Sequence, residues 1–252
     1  MSNDRHDPNA RFLREVDERI ARQSRNDGFK ATSLRWLNEA DACGYEYNFS
    51  WMGRPIIQYP QDIVAMQEII WRTRPDLIVE TGVAHGGTTI FYASMLDLIG
   101  NGGRVVGIDV DIRAHNRAGL EDHPVFKNGR IVLLEGSSTD PQVVERVRAL
   151  AAGQTRVLVC LDSDHSHDHV LAELRTYSPL VRAGQYVVVF DTSIDVLARE
   201  DYGDRPWGRG DSPMTAVAAF LQENHRFVPD EAVEAKLLIT SAPNGFLLCV
   251  ED

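Results

Sequence analysis

Short apolar runs alternate with amphipathic segments along most of the chain from residue 76 onward. The apolar runs are "DLIVETG", "GRVVGIDV", "RIVLLEGS", "RVLVCLD" and "QYVVVFD". Apolar residues recur at helical spacing in the intervening "TTIFYASMLDLIG", "PQVVERVRALAAG" and "DHVLAELRTYSPLV". Because strands that are apolar on both faces must be covered on both sides, this alternation predicts an α/β protein with a mostly parallel sheet between two layers of helices.

The segments that flank this region predict further elements. Amphipathic helices are predicted in "ARFLREVDERIARQS" and in "IVAMQEIIWRT", which ends before Pro75, whereas "YEYNFSWMGRPIIQYP" predicts short extended pieces and turns. Ser212 and Pro213 predict the N-cap and the first residue of a later helix, "MTAVAAFLQEN". At the end of the chain, "KLLITS", "APNG" and "FLLCV" predict a strand, a turn and a strand that form an antiparallel hairpin.

Composition and charge narrow the class of partner. The 252 residues carry a formal net charge of −11 at pH 7, which disfavours nucleic acid and anionic membranes and favours a small-molecule substrate. No apolar run approaches the roughly 18 residues that a membrane-spanning helix needs. Since the first residues, "MSNDRHDPNA", are also polar, we expect a cytoplasmic protein without membrane insertion. The three cysteines form no CxxC pair, and we expect them to be reduced.

Acidic residues stand at the ends of four predicted strands. They are Glu80, Asp109, Asp162 and Asp191. The carboxyl ends of parallel strands lie at one edge of a sheet, where α/β proteins bind their ligands, so several acids at that edge predict a ligand crevice. Each acid taken singly also fits a solvated surface position.

A glycine-rich turn, "ETGVAHGGTT", follows the first of these strands. Its glycines let the backbone pass close to a ligand before a helix begins. The spacing differs from the GxGxxG that holds a dinucleotide pyrophosphate, which disfavours an NAD-dependent oxidoreductase. The turn instead fits a nucleoside with a short charged tail, whose ribose hydroxyls would donate hydrogen bonds to Asp109.

These stretches, with "GIDVDIR", "EGSSTD", "LDSDHSHDHVLAEL" and "FDTSIDV", resemble the class I S-adenosylmethionine-dependent methyltransferases. Within that class the sequence is most similar to the cephalosporin hydroxylase family, which includes the CmcI-like and rhamnosyl O-methyltransferases. The resemblance implies a Rossmann-like sheet of seven strands with a C-terminal antiparallel hairpin, in a methyltransferase domain over residues 61–252 that follows a helical and irregular extension over residues 1–60. The implied activity is methyl transfer to a hydroxyl of a sugar, glycoside or other small natural product.

The resemblance also implies S-adenosylmethionine as cofactor and a divalent cation such as Mg²⁺ beside the acids. The expected cofactor-binding residues are Glu80, Thr81, Gly82, His85, Gly86, Asp109, Ser138 and Asp162. For His85, a solvent-facing position in the turn is the alternative. The expected cation ligands are Asp162 and Asp191, and Asp162 would take part in catalysis through the cation. Phe190 stands where some relatives carry an acidic ligand.

Three histidines stand two residues apart in "LDSDHSHDHV". His165 is the first candidate for the general base, because an imidazole with a pKa near 6.5 accepts a proton near neutral pH. Catechol-type methyltransferases, which this site resembles, place a lysine base at the same point. His167 is the second candidate, whereas His169 is expected to be structural and Ser166 to cap the following helix. A zinc site of all three histidines is disfavoured, since residues two apart on a helix point apart.

Other segments around the predicted crevice have open roles. Arg54 and Tyr59 are candidates to close over the cofactor. The Gly- and Pro-rich "EDYGDRPWGRGDSP", which contains Trp207, predicts either a lid or an ordinary surface loop. The amphipathic first helix indicates self-association into a homo-oligomer. A non-catalytic, cofactor-binding accessory subunit is the alternative function.

Overall fold

The structure, a computed structural model, describes residues 8–252. The helices are α1 (Pro8–Ser24), α2 (Asp27–Ala42), α3 (Pro60–Thr73), α4 (Gly87–Ile99), α5 (Ala114–Glu121), α6 (Pro124–Lys127), α7 (Pro141–Ala151), α8 (His167–Tyr177), α9 (Pro213–Glu223) and α10 (Glu231–Leu237). The strands are β1 (Phe49–Trp51), β2 (Arg54–Ile56), β3 (Leu77–Thr81), β4 (Arg104–Asp109), β5 (Ile131–Glu135), β6 (Val157–Leu161), β7 (Tyr186–Val189), β8 (Phe227–Pro229) and β9 (Phe246–Cys249). Short 3₁₀ helices cover Tyr45–Asn48, Ser178–Leu180 and Thr192–Asp195.

Seven strands form one sheet in the order β5-β4-β3-β6-β7-β9-β8. The strands β3 to β7 pair in parallel, whereas β9 is antiparallel to both β7 and β8. The predicted seven-stranded, mostly parallel sheet with a C-terminal antiparallel pair is therefore confirmed. After β3 the chain forms β4 and β5 on one side of that strand, and it later forms β6 and β7 on the other side. The carboxyl end of β3 is therefore a topological switch point, where such sheets bind ligands.

The sheet is buried on both faces, as the apolar runs predict. Every residue of β3, β6 and β7 is buried. Alternate residues along each strand face opposite sides, so Ile78 and Cys160 belong to one apolar cluster, with side chains of α3 and α4. Val79 and Val159 belong to the other cluster, with side chains of α7, α8 and α9. The two layers of helices follow from this pattern.

The prediction of a strand in "KLLITS" is wrong. Its first residues end α10, and Leu238 then adopts a left-handed conformation with φ of 59°. The antiparallel pair is instead made by β8 and β9, in which Phe227 lies opposite Cys249. A short apolar run does not by itself distinguish a strand from a partly buried helix end.

Helix starts show a second set of differences. Helix α2 was not predicted, because its buried stripe consists of Ser33, Leu37 and Ala40, whose small and polar members hide the helical periodicity. The prediction that Ser166 caps α8 is wrong in part, since Ser166 occupies the N-cap position but its side chain makes no capping hydrogen bond. Ser212 does cap α9, in a reciprocal capping box with Thr215.

Residues before α3 pack against the sheet and its helices. Trp51 Nε1 donates a hydrogen bond to Ser94 Oγ of α4 at 3.0 Å, and Ile56 belongs to the core cluster on that face. Helix α1 lies against α10. The division of the chain at residue 60 stays a prediction. Among the helices of residues 8–252, none is long and apolar enough to cross a bilayer.

Candidate active site

Neighbouring strand ends bring the main predicted catalytic residues together. Asp162 directly follows β6, Asp191 follows β7 after Phe190, and β6 and β7 pair in parallel. His165 lies in the turn between β6 and α8. A cavity of about 300 Å³ opens at these strand ends, and all three side chains line it. Phe190 is buried in the core beneath them.

The three side chains form one cluster with His165 in the centre. His165 Nδ1 lies 3.1 Å from Asp191 Oδ2, and His165 Nε2 lies 3.6 Å from Asp162 Oδ1. The second distance is too long for a hydrogen bond, and His165 Nε2 is buried without a hydrogen-bond partner. One ligand atom from each residue lies within 4.8 Å of the others. Two carboxylate oxygens and an imidazole nitrogen at this spacing fit a divalent cation.

The charges of the cluster are strongly coupled. Burial alone would lower the pKa of His165, but the carboxylates of Asp191 and Asp162 outweigh burial and raise that pKa to about 9. Burial raises the pKa of Asp162 to about 7, although His165 acts in the opposite direction. The imidazole therefore holds its proton more tightly than an unperturbed histidine does. The pKa near 6.5 that was expected for His165 therefore does not hold beside these two carboxylates.

A buried hydrogen-bond chain fixes Asp162 from below. Gln58 Nε2 donates to Asp162 Oδ2 at 3.1 Å, and Gln58 Oε1 lies 3.5 Å from Ser241 Oγ. The backbone N–H and the hydroxyl of Ser241 also donate to Asp62 Oδ2, at 2.8 and 3.0 Å. Sequence reasoning missed these residues, since "IIQYPQD" shows only a turn and a helix start. These hydrogen bonds connect the extension, α3 and the segment before β9 to Asp162.

The glycine turn after β3 lies directly against the strand-end acids. Gly82 has φ of 88°, and a Cβ at this position would lie 1.9 Å from the backbone oxygen of Asp162. The backbone N–H groups of Val83 and Ala84 donate to Asp109 Oδ2 at 2.9 and 3.0 Å. Asp109 therefore holds the turn through one of its carboxylate oxygens, a contact that the sequence did not predict.

The predicted cofactor-binding residues divide into two groups. Those that line the cavity are Gly82, His85 and Asp162. Those that do not line it are Glu80, Thr81, Gly86, Asp109 and Ser138. Glu80 is 2% exposed and accepts a hydrogen bond from Thr89 Oγ1 at 2.5 Å, and burial raises its pKa to about 8.

His167 and His169 have partners away from the cavity lining. His169 Nε2 lies 3.0 Å from Ser138 Oγ and 3.3 Å from Glu173 Oε1, which confirms the expectation of a structural, hydrogen-bonded residue. His167 Nδ1 lies 2.8 Å from Thr215 Oγ1 of α9, and its backbone N–H donates to Asp211. His165 is therefore the histidine of this stretch that the structure places in the cavity.

The loop of residues 200–213 and the extension before α3 also contribute to the cavity wall. The ring centroids of His165 and Trp207 lie 5.0 Å apart, and the Arg205 guanidinium lies 5.6 Å from the Trp207 ring. From the extension, Glu46 and Tyr59 line the same cavity. Tyr59 was a predicted neighbour of the cofactor, whereas Glu46 carried no signal in the sequence.

Comparison with solved structures defines the class of this fold. A structure of CmcI with Mg and S-adenosylmethionine has a TM-score of 0.57 and 20% identity, covering 81% of this chain and 77% of that one. The ligand-free structure of a CmcI form has a TM-score of 0.58 and 20% identity, covering 82% of this chain and 78% of that one. The fold is thus that of a Rossmann-like, class I methyltransferase.

Sequence comparison then shows the family. The model of the family Rhamnosyl O-methyltransferase/CmcI matches residues 43–250. Rhamnosyl O-methyltransferase of Mycobacterium tuberculosis (strain ATCC 25618 / H37Rv) is 34% identical over 205 residues, which cover 79% of this chain and 77% of that protein. The Mycobacterium leprae (strain TN) protein of the same name is 32% identical over 204 residues, covering 79% and 82%. The chain belongs to this family and is an S-adenosylmethionine-dependent O-methyltransferase.

Proposed function

We propose that this enzyme methylates a hydroxyl group of a sugar or glycoside, with a divalent cation at the strand-end cluster. The cluster of Asp162, His165 and Asp191 in the cavity carries the proposal. The family relatives are named for a rhamnosyl acceptor, which favours a sugar as the acceptor here. The loops and the extension that line the cavity determine which sugar.

The glycine turn is the proposed binding site for the methyl donor. S-adenosylmethionine supplies an electrophilic methyl group on a sulfonium and leaves as the thioether S-adenosylhomocysteine. Gly82 and His85 line the cavity beside Asp162, so this turn would face the donor. Asp109 contributes by holding the backbone of Val83 and Ala84 in place. An in-line displacement needs aligned reactants, and a rigid turn at a switch point provides that alignment.

Asp162 and Asp191 are the proposed cation ligands, with His165 between them. A bound divalent cation would supply positive charge that lowers the pKa of an acceptor hydroxyl. The same charge would make the imidazolium form of His165 less favourable, since like charges lower the pKa of a histidine. Neutral His165 then accepts the proton that the acceptor oxygen releases as it bonds to the methyl carbon.

The test compares Asp162→Ala with wild type in methyl transfer and in binding of S-adenosylhomocysteine. We expect turnover to fall by at least about 100-fold, because the variant loses a carboxylate that holds the reacting groups. The dissociation constant for S-adenosylhomocysteine should stay within a few-fold of wild type. Asp168→Ala is the matched control, since Asp168 is an exposed residue in the first turn of α8. Unchanged turnover in Asp162→Ala would remove the basis of this mechanism.

We also propose a cytoplasmic, self-associating enzyme. Cys160 and Cys249 are free and buried, as is usual in a reducing compartment. Phe12 and Leu13 of α1 are 59% and 62% exposed, which suits a contact between subunits. Sedimentation at several protein concentrations would test the association, and a monomer at all of them would contradict it.

A further inference from the structure

The glycine turn at the cavity has a conformation that its own residues do not favour. Gly82, Ala84 and Gly86 have φ of 88°, 46° and 79°. Ala84 carries a Cβ, which makes this left-handed conformation unfavourable. The residues of the turn that line the cavity are Gly82, Val83, Ala84 and His85. A strained residue keeps its conformation only where the surrounding structure holds it, so contacts from outside the turn maintain this part of the cavity wall.

Two side chains from outside the turn donate hydrogen bonds to its carbonyl groups. Asn116 Nδ2 donates to Ala84 O at 2.9 Å, and Asn116 is 5% exposed. Arg54 Nε donates to His85 O at 3.0 Å, and Arg54 Nη2 donates to the same oxygen. Neither Arg54 nor Asn116 lines the cavity. Both side chains therefore act on the cavity through the backbone of the turn.

Helix α5 leaves space for the Arg54 guanidinium at one residue. A Cβ at Gly119 would lie 2.3 Å from Arg54 Nη1 and 3.2 Å from Arg54 Cζ. Gly119 lies within α5 and has no positive φ, so its backbone conformation does not require glycine. Alanine is the better helix former at such a position. The guanidinium that occupies the space beside Gly119 explains why a side chain is absent there.

We propose that Arg54 and Asn116 are positioning residues for the methyl donor, and that Gly119 gives the Arg54 guanidinium its place against the turn. This inference rests on the proposal that the turn binds the donor. A turn that is held in its binding conformation loses less conformational freedom when a ligand binds, which strengthens binding. Loss of either side chain should therefore weaken donor binding while Asp162 and His165 stay in place.

Gly119→Ala is the decisive variant, because it removes no hydrogen-bonding group. The added methyl group meets the end of a flexible side chain, so Arg54 has to leave the turn while α5 stays folded. Gly28→Ala in α2 is the matched control, since Gly28 also lacks a positive φ and its Cβ would lie 3.5 Å from the nearest atom, Asn26 Oδ1. Arg54→Met removes the guanidinium and keeps an unbranched apolar stem. Asn116→Ala removes the other donor.

The test has two readouts that need no acceptor. Titration calorimetry gives the dissociation constant of S-adenosylhomocysteine, and amide hydrogen exchange of residues 82–86 reports how firmly the turn is held. We expect Gly119→Ala, Arg54→Met and Asn116→Ala each to bind S-adenosylhomocysteine about 10-fold more weakly, as for the loss of one hydrogen bond. Their turn amides should exchange faster than in wild type, with exchange in β3 and β6 unchanged. Gly28→Ala should match wild type in both readouts.

The double variant of Arg54→Met and Gly119→Ala tests whether Gly119 acts through Arg54. A methionine side chain ends near the position of the arginine Nε, so the new methyl group at residue 119 no longer meets a guanidinium. We expect the double variant to bind S-adenosylhomocysteine no more weakly than Arg54→Met does alone. Additive losses would show that alanine disturbs α5 itself, and would overturn the role of Gly119.

Wild-type affinity in Arg54→Met and Asn116→Ala would overturn the positioning role, as would unchanged exchange of the turn. Protection of residues 82–86 by S-adenosylhomocysteine in wild type tests the proposed donor site separately. Such protection, with normal binding by the variants, leaves the donor site standing without the positioning residues. Faster turn exchange in the variants, with no protection of the turn in wild type, would mean that Arg54 and Asn116 hold a turn that does not bind the donor, which contradicts the proposed donor site.

Discussion

Replacing Gly82 by alanine tests whether the glycine turn positions Asp162, the proposed catalytic carboxylate. Gly82 follows β3, and its φ of 88° is a conformation that residues with a Cβ rarely adopt. The added Cβ would lie 1.9 Å from the backbone oxygen of Asp162 and 2.6 Å from its carbonyl carbon. Neither strand yields easily, because β3 and β6 pair along their whole length and Asp162 N donates to Thr81 O at 3.0 Å.

The magnitude of the effect follows from this geometry. Ordinary contact for a Cβ begins near 3.4 Å, so the Asp162 backbone must move away by more than about 1 Å. A misplacement of about 1 Å costs roughly 100-fold in rate, and we expect a loss of turnover of that order. The left-handed conformation costs about 1–2 kcal/mol in stability, and forced repacking adds about 1–3 kcal/mol.

The assay combines methyl transfer with thermal unfolding of wild type, Gly82→Ala and a matched control. Gly184→Ala is that control, because Gly184 has φ of 84° but no atom within 4 Å of its Cβ position. We expect Gly184→Ala to lose about 1–2 kcal/mol of stability and no activity, and Gly82→Ala to lose more of both. Equal stability losses in the two variants, with wild-type turnover in Gly82→Ala, would refute the reasoning.

Two further predictions concern the titration of buried groups. Glu80 has a folded-state pKa raised from 4.5 to about 8, so wild-type stability should fall as pH rises between those values, and Glu80→Gln should remove this fall. Between pH 5 and 8, the unfolding free energy of wild type should fall relative to that of Glu80→Gln by about 1.4 kcal/mol per pH unit. Urea midpoints of the two proteins that change in parallel over this pH range would contradict the prediction. In metal-free protein, Asp191→Asn should lower the His165 pKa from about 9 toward 6.5. The stability that His165 contributes below pH 6.5 and loses through pH 9 should then shrink; an unmoved NMR titration midpoint would refute the assignment to Asp191.

The sequence alone was sufficient for the sheet and for the edge at which the site lies. Runs such as "LIVET" and "VLVCL" are apolar on both faces, and only a strand covered on both sides buries all of their residues. Because parallel strands end at one edge, Asp162 and Asp191 were predicted to be neighbours, and they follow adjacent strands. The family was also readable from these stretches.

Local signals were weaker where burial depends on distant partners. The stripe of Ser33, Leu37 and Ala40 gave no clear helical pattern for α2, and "KLLITS" resembled a strand until its packing was known. Short or weakly apolar segments adopt the conformation that their tertiary contacts favour. Their assignment therefore needed the structure.

The details of the site were decided by tertiary structure alone. Gln58 lies 104 residues before Asp162 and donates to it, and Ser241 lies 179 residues after Asp62 and donates to that carboxylate. The pKa of about 9 at His165 comes from the carboxylates packed around it. Residue order along a chain determines which segments can form strands and where those strands end. Side-chain distances, burial and the interaction of charges exist only once the segments have packed, and they account for the raised pKa of His165.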